Sequence, residues 1–151
     1  MAVLAIIIKI IALIFYVTLV LLTVKSNTEI RVRQFFFIYL ASMILWQFTS
    51  LMITSSKSPN VAVFWYNLQF SGGGLQSILF FPLTRAFLRI KRQRVWTYSS
   101  YLAALFLIVI SILGFAVKEV YLGKAGYFIP KFTSISDIFR VFLFFGESIM
   151  F

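Results

Sequence analysis

The stretch FWYNLQFSGGGLQSILFFP (Phe64–Pro82) decides how the rest of the chain is read. Three consecutive glycines, Gly72, Gly73 and Gly74, sit between an aromatic cluster and a Leu/Phe-rich run. Such a triplet serves as a phosphate-cradling loop, as a flexible joint between domains, or as a helix pared down to bare backbone. The solvent around it selects among these, and composition identifies the solvent.

Of the 151 residues, 62% are hydrophobic, 19% aromatic and only 12% charged. Mean hydropathy is +0.99. A soluble domain is roughly half apolar and about one quarter charged, so this chain lacks the polar surface to cover a core. The expectation is an integral membrane protein.

Apolar runs, judged against the roughly 20 residues that cross about 30 Å of hydrocarbon, give four full spans and a partial fifth. They lie at about 2–24, 35–53, 61–88, 95–117 and 138–151. The fold class expected is all-α, a polytopic transmembrane helix bundle forming one domain over 1–151. The fifth run, IFRVFLFFGESIMF, is short for a crossing, so the chain reads as a fragment of a longer protein. Membrane β-barrel strands would alternate apolar and polar residues over about ten positions; these runs are longer and continuous, as helices in lipid require.

The first run is not a signal peptide in this reading, because Lys9 lies within the apolar segment and no A-x-A-like site follows. Lys9 is expected to snorkel to the interface along its apolar stem, with a functional buried lysine as the alternative.

Basic residues set the orientation. Loop 25–34 carries Lys25, Arg31 and Arg33, and loop 85–94 carries Arg85, Arg89, Lys91, Arg92 and Arg94. The other two loops carry Lys57 and then Lys118, Lys124 and Lys131. Positive-inside bias therefore places loops 25–34 and 85–94 in the cytoplasm and the N-terminus outside a multi-pass cell-membrane protein. The net charge of +10 sits in short loops rather than on a folded basic face, so a nucleic-acid partner is not expected. Arg85, Arg89, Lys91, Arg92 and Arg94 are read as contacts to anionic lipid headgroups.

There is no Cys and no His, and the carboxylates are Glu29, Glu119, Asp137 and Glu147. Disulfide chemistry, imidazole metal ligation and the commonest general base are excluded. No catalytic residue, metal site or cofactor is assigned, and the chain is not expected to be an enzyme.

The glycines are followed by Leu75-Gln76-Ser77, which fails both the P-loop and the dinucleotide fingerprint. Gly/Ser linkers sit in polar sequence, and this one does not. On the third span the triplet falls near mid-membrane, where glycine permits close helix approach, and Gly73-x-x-x-Ser77 is a small-xxx-small pair. Asn67, Ser71 and Gly74 share one helix face; Gln69, Gly73 and Gln76 share the adjacent one. Polar groups in hydrocarbon need partners, so Asn67, Gln69, Ser71, Gly72, Gly73, Gly74, Gln76 and Ser77 are the candidates for helix packing or ligand lining. Pro82 removes an amide from the helix ladder and predicts a kink. Trp65, Tyr66, Trp96, Tyr98 and Tyr101 lie toward span ends, as interfacial rings do. Near the C-terminus, Asp137 and Arg140 read as an ion pair at a helix entrance, with a gating or relay pair involving Glu147 as the alternative.

ILWQFTSLMITS (Ile44–Ser55) followed by Phe64–Arg89 resembles the N-terminal seven-helix membrane region of bacterial sensor histidine kinases. Trp46 matches that region's tryptophan late in helix two, Phe70 and Gly72 its aromatic-x-Gly element, and Phe80–Leu88 its closing stretch. The resemblance implies an extracytoplasmic N-terminus and helices that feed a cytoplasmic output domain or partner. With no His there is no phospho-acceptor, so the chain would be a sensing part without its kinase. The expected function is a membrane-embedded sensor or receptor-like domain for signal transduction. A small transporter or channel subunit that oligomerises through the glycine face is the alternative, a scaffolding role is a third, and the same face would support a homodimer.

Overall fold

The computed structural model describes residues 2–89, 94–123, 128–134 and 137. Four helices come first: α1 (Ala2–Lys25), α2 (Ile30–Ser55), α3 (Pro59–Phe87) and α4 (Arg94–Ile112). Two strands follow, β1 (Val117–Leu122) and β2 (Phe128–Phe132), paired as an antiparallel hairpin. The chain is mostly helical, but the all-α expectation is corrected by this hairpin. The expected fifth span, with Arg140 and Glu147, lies outside the described residues.

Two helices are long and apolar enough to cross a membrane, Val3–Lys25 and Ile30–Ser55. None of the apolar window of α1 is buried within the chain, so Ile8, Ile11, Phe15 and Leu22 present bare hydrocarbon outward. A helix in the core of a soluble protein buries that surface; contiguous exposure of it marks a membrane or protein contact. The length and apolar character of the two helices suggest membrane association.

The other two expected spans take a different form. α3 has the length, with 29 residues, but Asn67, Gln69, Ser71, the three glycines and Gln76 interrupt its apolar character. α4 stops at Ile112 instead of running to Val117. The stop is a glycine cap inside the apolar sequence VISILGFAV. Gly114 adopts φ +73°, its amide bonds the Ser111 carbonyl, and the Phe115 amide bonds the Ile110 carbonyl. This paired arrangement satisfies the last carbonyls of a helix and turns the chain away. Hydropathy does not register it, because glycine is nearly neutral on that scale.

Beyond the turn, VKEVYL and FIPKF are rich in branched and aromatic residues and are separated by a segment with Gly123 and Gly126, a hairpin composition. Tyr121 faces Ile129 and Glu119 faces Lys131 across the pair, with a register irregularity between Val117 and Glu119. Pro130 is tolerated because a two-stranded sheet has only edges. An isolated hairpin is at best marginally stable in water; this one is docked against α3.

α3 is the hub. It packs on α2, on α4 and on the hairpin, while α1 packs on α2. Pro59 occupies its first turn, where the missing amide is not needed. The helix passes through Pro82, which is buried, and stays helical to Phe87. At the opposite end from Pro59, Arg89 reaches Glu29 at 3.8 Å. The two basic loops therefore share one end of the bundle, and the α2–α3 turn shares the other with the hairpin.

Candidate functional site

The three glycines each meet something different. A β-carbon at Gly72 would stand 3.1 Å from the Trp46 backbone nitrogen and 3.2 Å from its Cα, so bare backbone there lets α2 and α3 close on each other. At Gly74 a methyl would overlap the Leu107 side chain, which α4 buries completely. Gly73 faces the Trp46 indole at 3.7 Å, an ordinary contact with room to spare. The triplet is thus a helix seated between two neighbours.

Around it lie two adjoining clefts of about 350 Å³ each. One is bounded by Trp46 of α2, by Phe70, Gly73 and Gly74 of α3, and by Phe132 of the hairpin. The other is bounded by Lys9 of α1 and by Ser50, Ile53 and Thr54 of α2. Tyr66 and Gln69 line both. Trp46, Ser50 and Thr54 recur every fourth residue, and Tyr66, Gln69 and Gly73 follow the same helical repeat, so two helix stripes face each other across one groove.

Lys9 reaches along its stem to the last turns of α2. Its ammonium donates to the Ser50 carbonyl at 2.9 Å and to the Thr54 hydroxyl at 2.5 Å, crossing from α1 to α2. Neither ion pair among the described residues includes it; these are Arg89–Glu29 and Lys131–Glu119.

The two polar faces of α3 separate in role. Asn67 is 4% exposed and holds the hairpin. Its Oδ1 accepts from the Ala116 amide at 3.0 Å and the Val117 amide at 2.9 Å, while Nδ2 donates to the Val117 and Val63 carbonyls, each at 2.9 Å. Tyr66 adds a bond from its hydroxyl to the Phe128 carbonyl at 2.5 Å. Ser71 is buried and bonds back to the Leu68 carbonyl at 2.7 Å. Gln69 and Gly73 line the groove; Ser77 lines neither cleft. The buried Gln76 Nε2 has no partner among the described residues.

Of the expected lipid contacts, Arg89 is exposed and pairs with Glu29. Arg85 is buried, its guanidinium 5.6 Å from the centre of the Phe81 ring, which removes it from the exposed headgroup set. Lys91 and Arg92 lie outside the described residues, and Arg94 opens α4.

Trp46 entered the reading only through its place in a motif, and Ser50, Thr54 and Phe132 did not enter it as site residues. The four-residue repeat of Trp46, Ser50 and Thr54 was a signal for the first three; nothing local marked Phe132. Comparison with protein-family models, with curated proteins and with solved structures returns no match for the chain.

Proposed function

We propose that the chain is a membrane-embedded sensor or receptor-like domain whose stimulus occupies the α2–α3 groove and whose response passes through α3. One observation carries this reading: the helix that lines the groove through Tyr66, Gln69 and Gly73 also holds the hairpin through Tyr66 and Asn67. Tyr66 belongs to both. An occupant that shifts α3 therefore changes the hairpin's anchorage at one end and the Glu29–Arg89 region at the other. A ligand moves such an equilibrium only by binding the two arrangements unequally.

In this proposal α3 and α4 also cross the membrane. At about 1.5 Å per residue, 29 and 19 residues reach roughly 44 and 28 Å. The polar groups of α3 are turned toward α2, α4 and the hairpin, where lipid is absent. The shared end of the two basic loops is then cytoplasmic, by their charge, and the hairpin is extracytoplasmic. A cytoplasmic partner or fused output domain of sensor-kinase type would read the change, as the resemblance of Ile44–Arg89 implies.

The transporter reading needs a glycine face open to another subunit. Gly72 and Gly73 face Trp46 and Gly74 faces Leu107 of the same chain, which leaves that reading less support. Spin labels at positions 31 and 118 of the reconstituted protein test the choice, since the chain has no native Cys. Two distance populations whose ratio responds to lipid composition support the sensor. One invariant population, together with solute flux into liposomes, would replace it with the transporter.

A further inference from the structure

The groove carries an ammonium at one end and aromatic rings at the other. Thr54 is the penultimate residue of α2, so the Lys9 ammonium sits close to that helix's end. Trp46 lies roughly 12 Å further in, at about 1.5 Å per residue, and there the walls are an indole, two aromatic rings and bare glycine. A cation flanked by apolar helices pairs with an opposite charge or with backbone carbonyls; Lys9 has the Ser50 carbonyl, and neither Arg89–Glu29 nor Lys131–Glu119 brings it a carboxylate. An ammonium has three protons to donate; Ser50 and Thr54 take two. The Gln69 amide lines the same space with no hydrogen-bond partner among the described residues. Among the described residues the site therefore has a cation with no carboxylate beside it, a third ammonium proton and an unpartnered amide, and it adjoins a cleft with aromatic walls.

We infer that the groove binds a single-chain amphiphile with an acidic head group, its carboxylate or equivalent on Lys9 and Gln69 and its hydrocarbon chain along Trp46, Phe70 and Gly73. Occupancy puts an anion beside Lys9 and fills the cleft between Trp46 and Phe132 with apolar surface. The chain would run between Trp46 and the hairpin residue Phe132, in direct contact with both ends of the coupling described above. The inference names a ligand class for the proposed sensor and rests on that reading only for the consequence of binding, not for binding itself.

Palmitate and hexadecanol, which share a chain and differ in charge, test the head group on the full-length protein in detergent by native mass spectrometry. A hydrogen bond from a charged donor makes palmitate the tighter by about tenfold or more. Lys9→Gln should abolish the preference and Lys9→Arg should keep it, with both variants first checked for native helicity. Bromine-labelled stearate should quench tryptophan emission in the wild type and much less in Trp46→Phe, which tests the tail. Equal binding of palmitate and hexadecanol would overturn the inference, as would quenching that survives Trp46→Phe. Phosphatidylglycerol that copurifies and blocks palmitate would overturn the single-chain assignment. Palmitate binding through Lys9 without any change in hydrogen exchange at 116–133 would uphold the site and defeat the sensor reading.

Discussion

Asn67 on α3 and Val117 at the start of β1 are bonded in both directions, Nδ2 to the Val117 carbonyl and Oδ1 from the Val117 amide, each at 2.9 Å. One side chain thereby takes the place of a neighbouring strand. It satisfies the hairpin's first residue at a site where Ala116 and Val117 are both fully buried, and where an unpaired amide costs about 1–3 kcal/mol.

Asn67→Leu should therefore release the hairpin while leaving the helices formed. Two buried amides lose their acceptor, and amide exchange at Ala116 and Val117 should accelerate by at least about tenfold, the equivalent of roughly 1.4 kcal/mol. Protection equal to wild type at those two residues would show that the clamp is dispensable.

Tyr66→Phe removes the bond to the Phe128 carbonyl and keeps the ring that lines both clefts. A loss of about 1 kcal/mol is expected, expressed as faster exchange in β2 more than in α3. Equal acceleration in both elements would mean that the hydroxyl supports the whole bundle.

The glycines should rank by their surroundings. Gly73→Ala has room beside the Trp46 indole and replaces a poor helix former, so thermal stability in detergent should hold or rise by up to about 1 kcal/mol. Gly72→Ala drives a methyl against the Trp46 backbone and should lower stability, overpacking costing about 1–3 kcal/mol. The reverse order of melting temperatures would refute the assigned α2–α3 contact.

Gly74→Ala collides with Leu107, so Leu107→Ala should partly rescue it. A double-mutant cycle on melting in detergent should return a coupling of about 0.5–3 kcal/mol, the range for residues in contact. Strict additivity would place α4 elsewhere.

Gly114→Ala forces a β-carbon into φ +73°, a conformation that costs an ordinary residue roughly 1–2 kcal/mol. The variant should melt earlier, with hairpin protection falling ahead of α1 and α2. A more stable protein would indicate that α4 continues as a helix once the turn is removed.

Much of the framework was legible in local terms. α1 and α2 are sustained apolar runs, and α3 was located as a third apolar run at about 61–88, with its polar residues at Asn67–Gln76 marked out on two faces. The basic loops that meet through Glu29 and Arg89 were recognisable by composition. The hairpin was not, because Val95–Val117 is apolar throughout and a running average passes over the one glycine that ends the helix. Lys9 was legible as a cation reaching along its stem toward a helix end, but its acceptors, Ser50 and Thr54, are brought beside it only by the packing of another helix.

Composition and periodicity are sums over neighbouring residues, and for this chain they determined a mostly helical protein, its first three helices and two runs long and apolar enough to cross a membrane. Tertiary structure alone decided that Asn67 would grip a strand fifty positions away, that Gly72 and Gly74 would serve different neighbours, and that Lys9 would donate to Ser50 and Thr54 of another helix. Those outcomes depend on distances between segments remote in the chain, which no local sum contains.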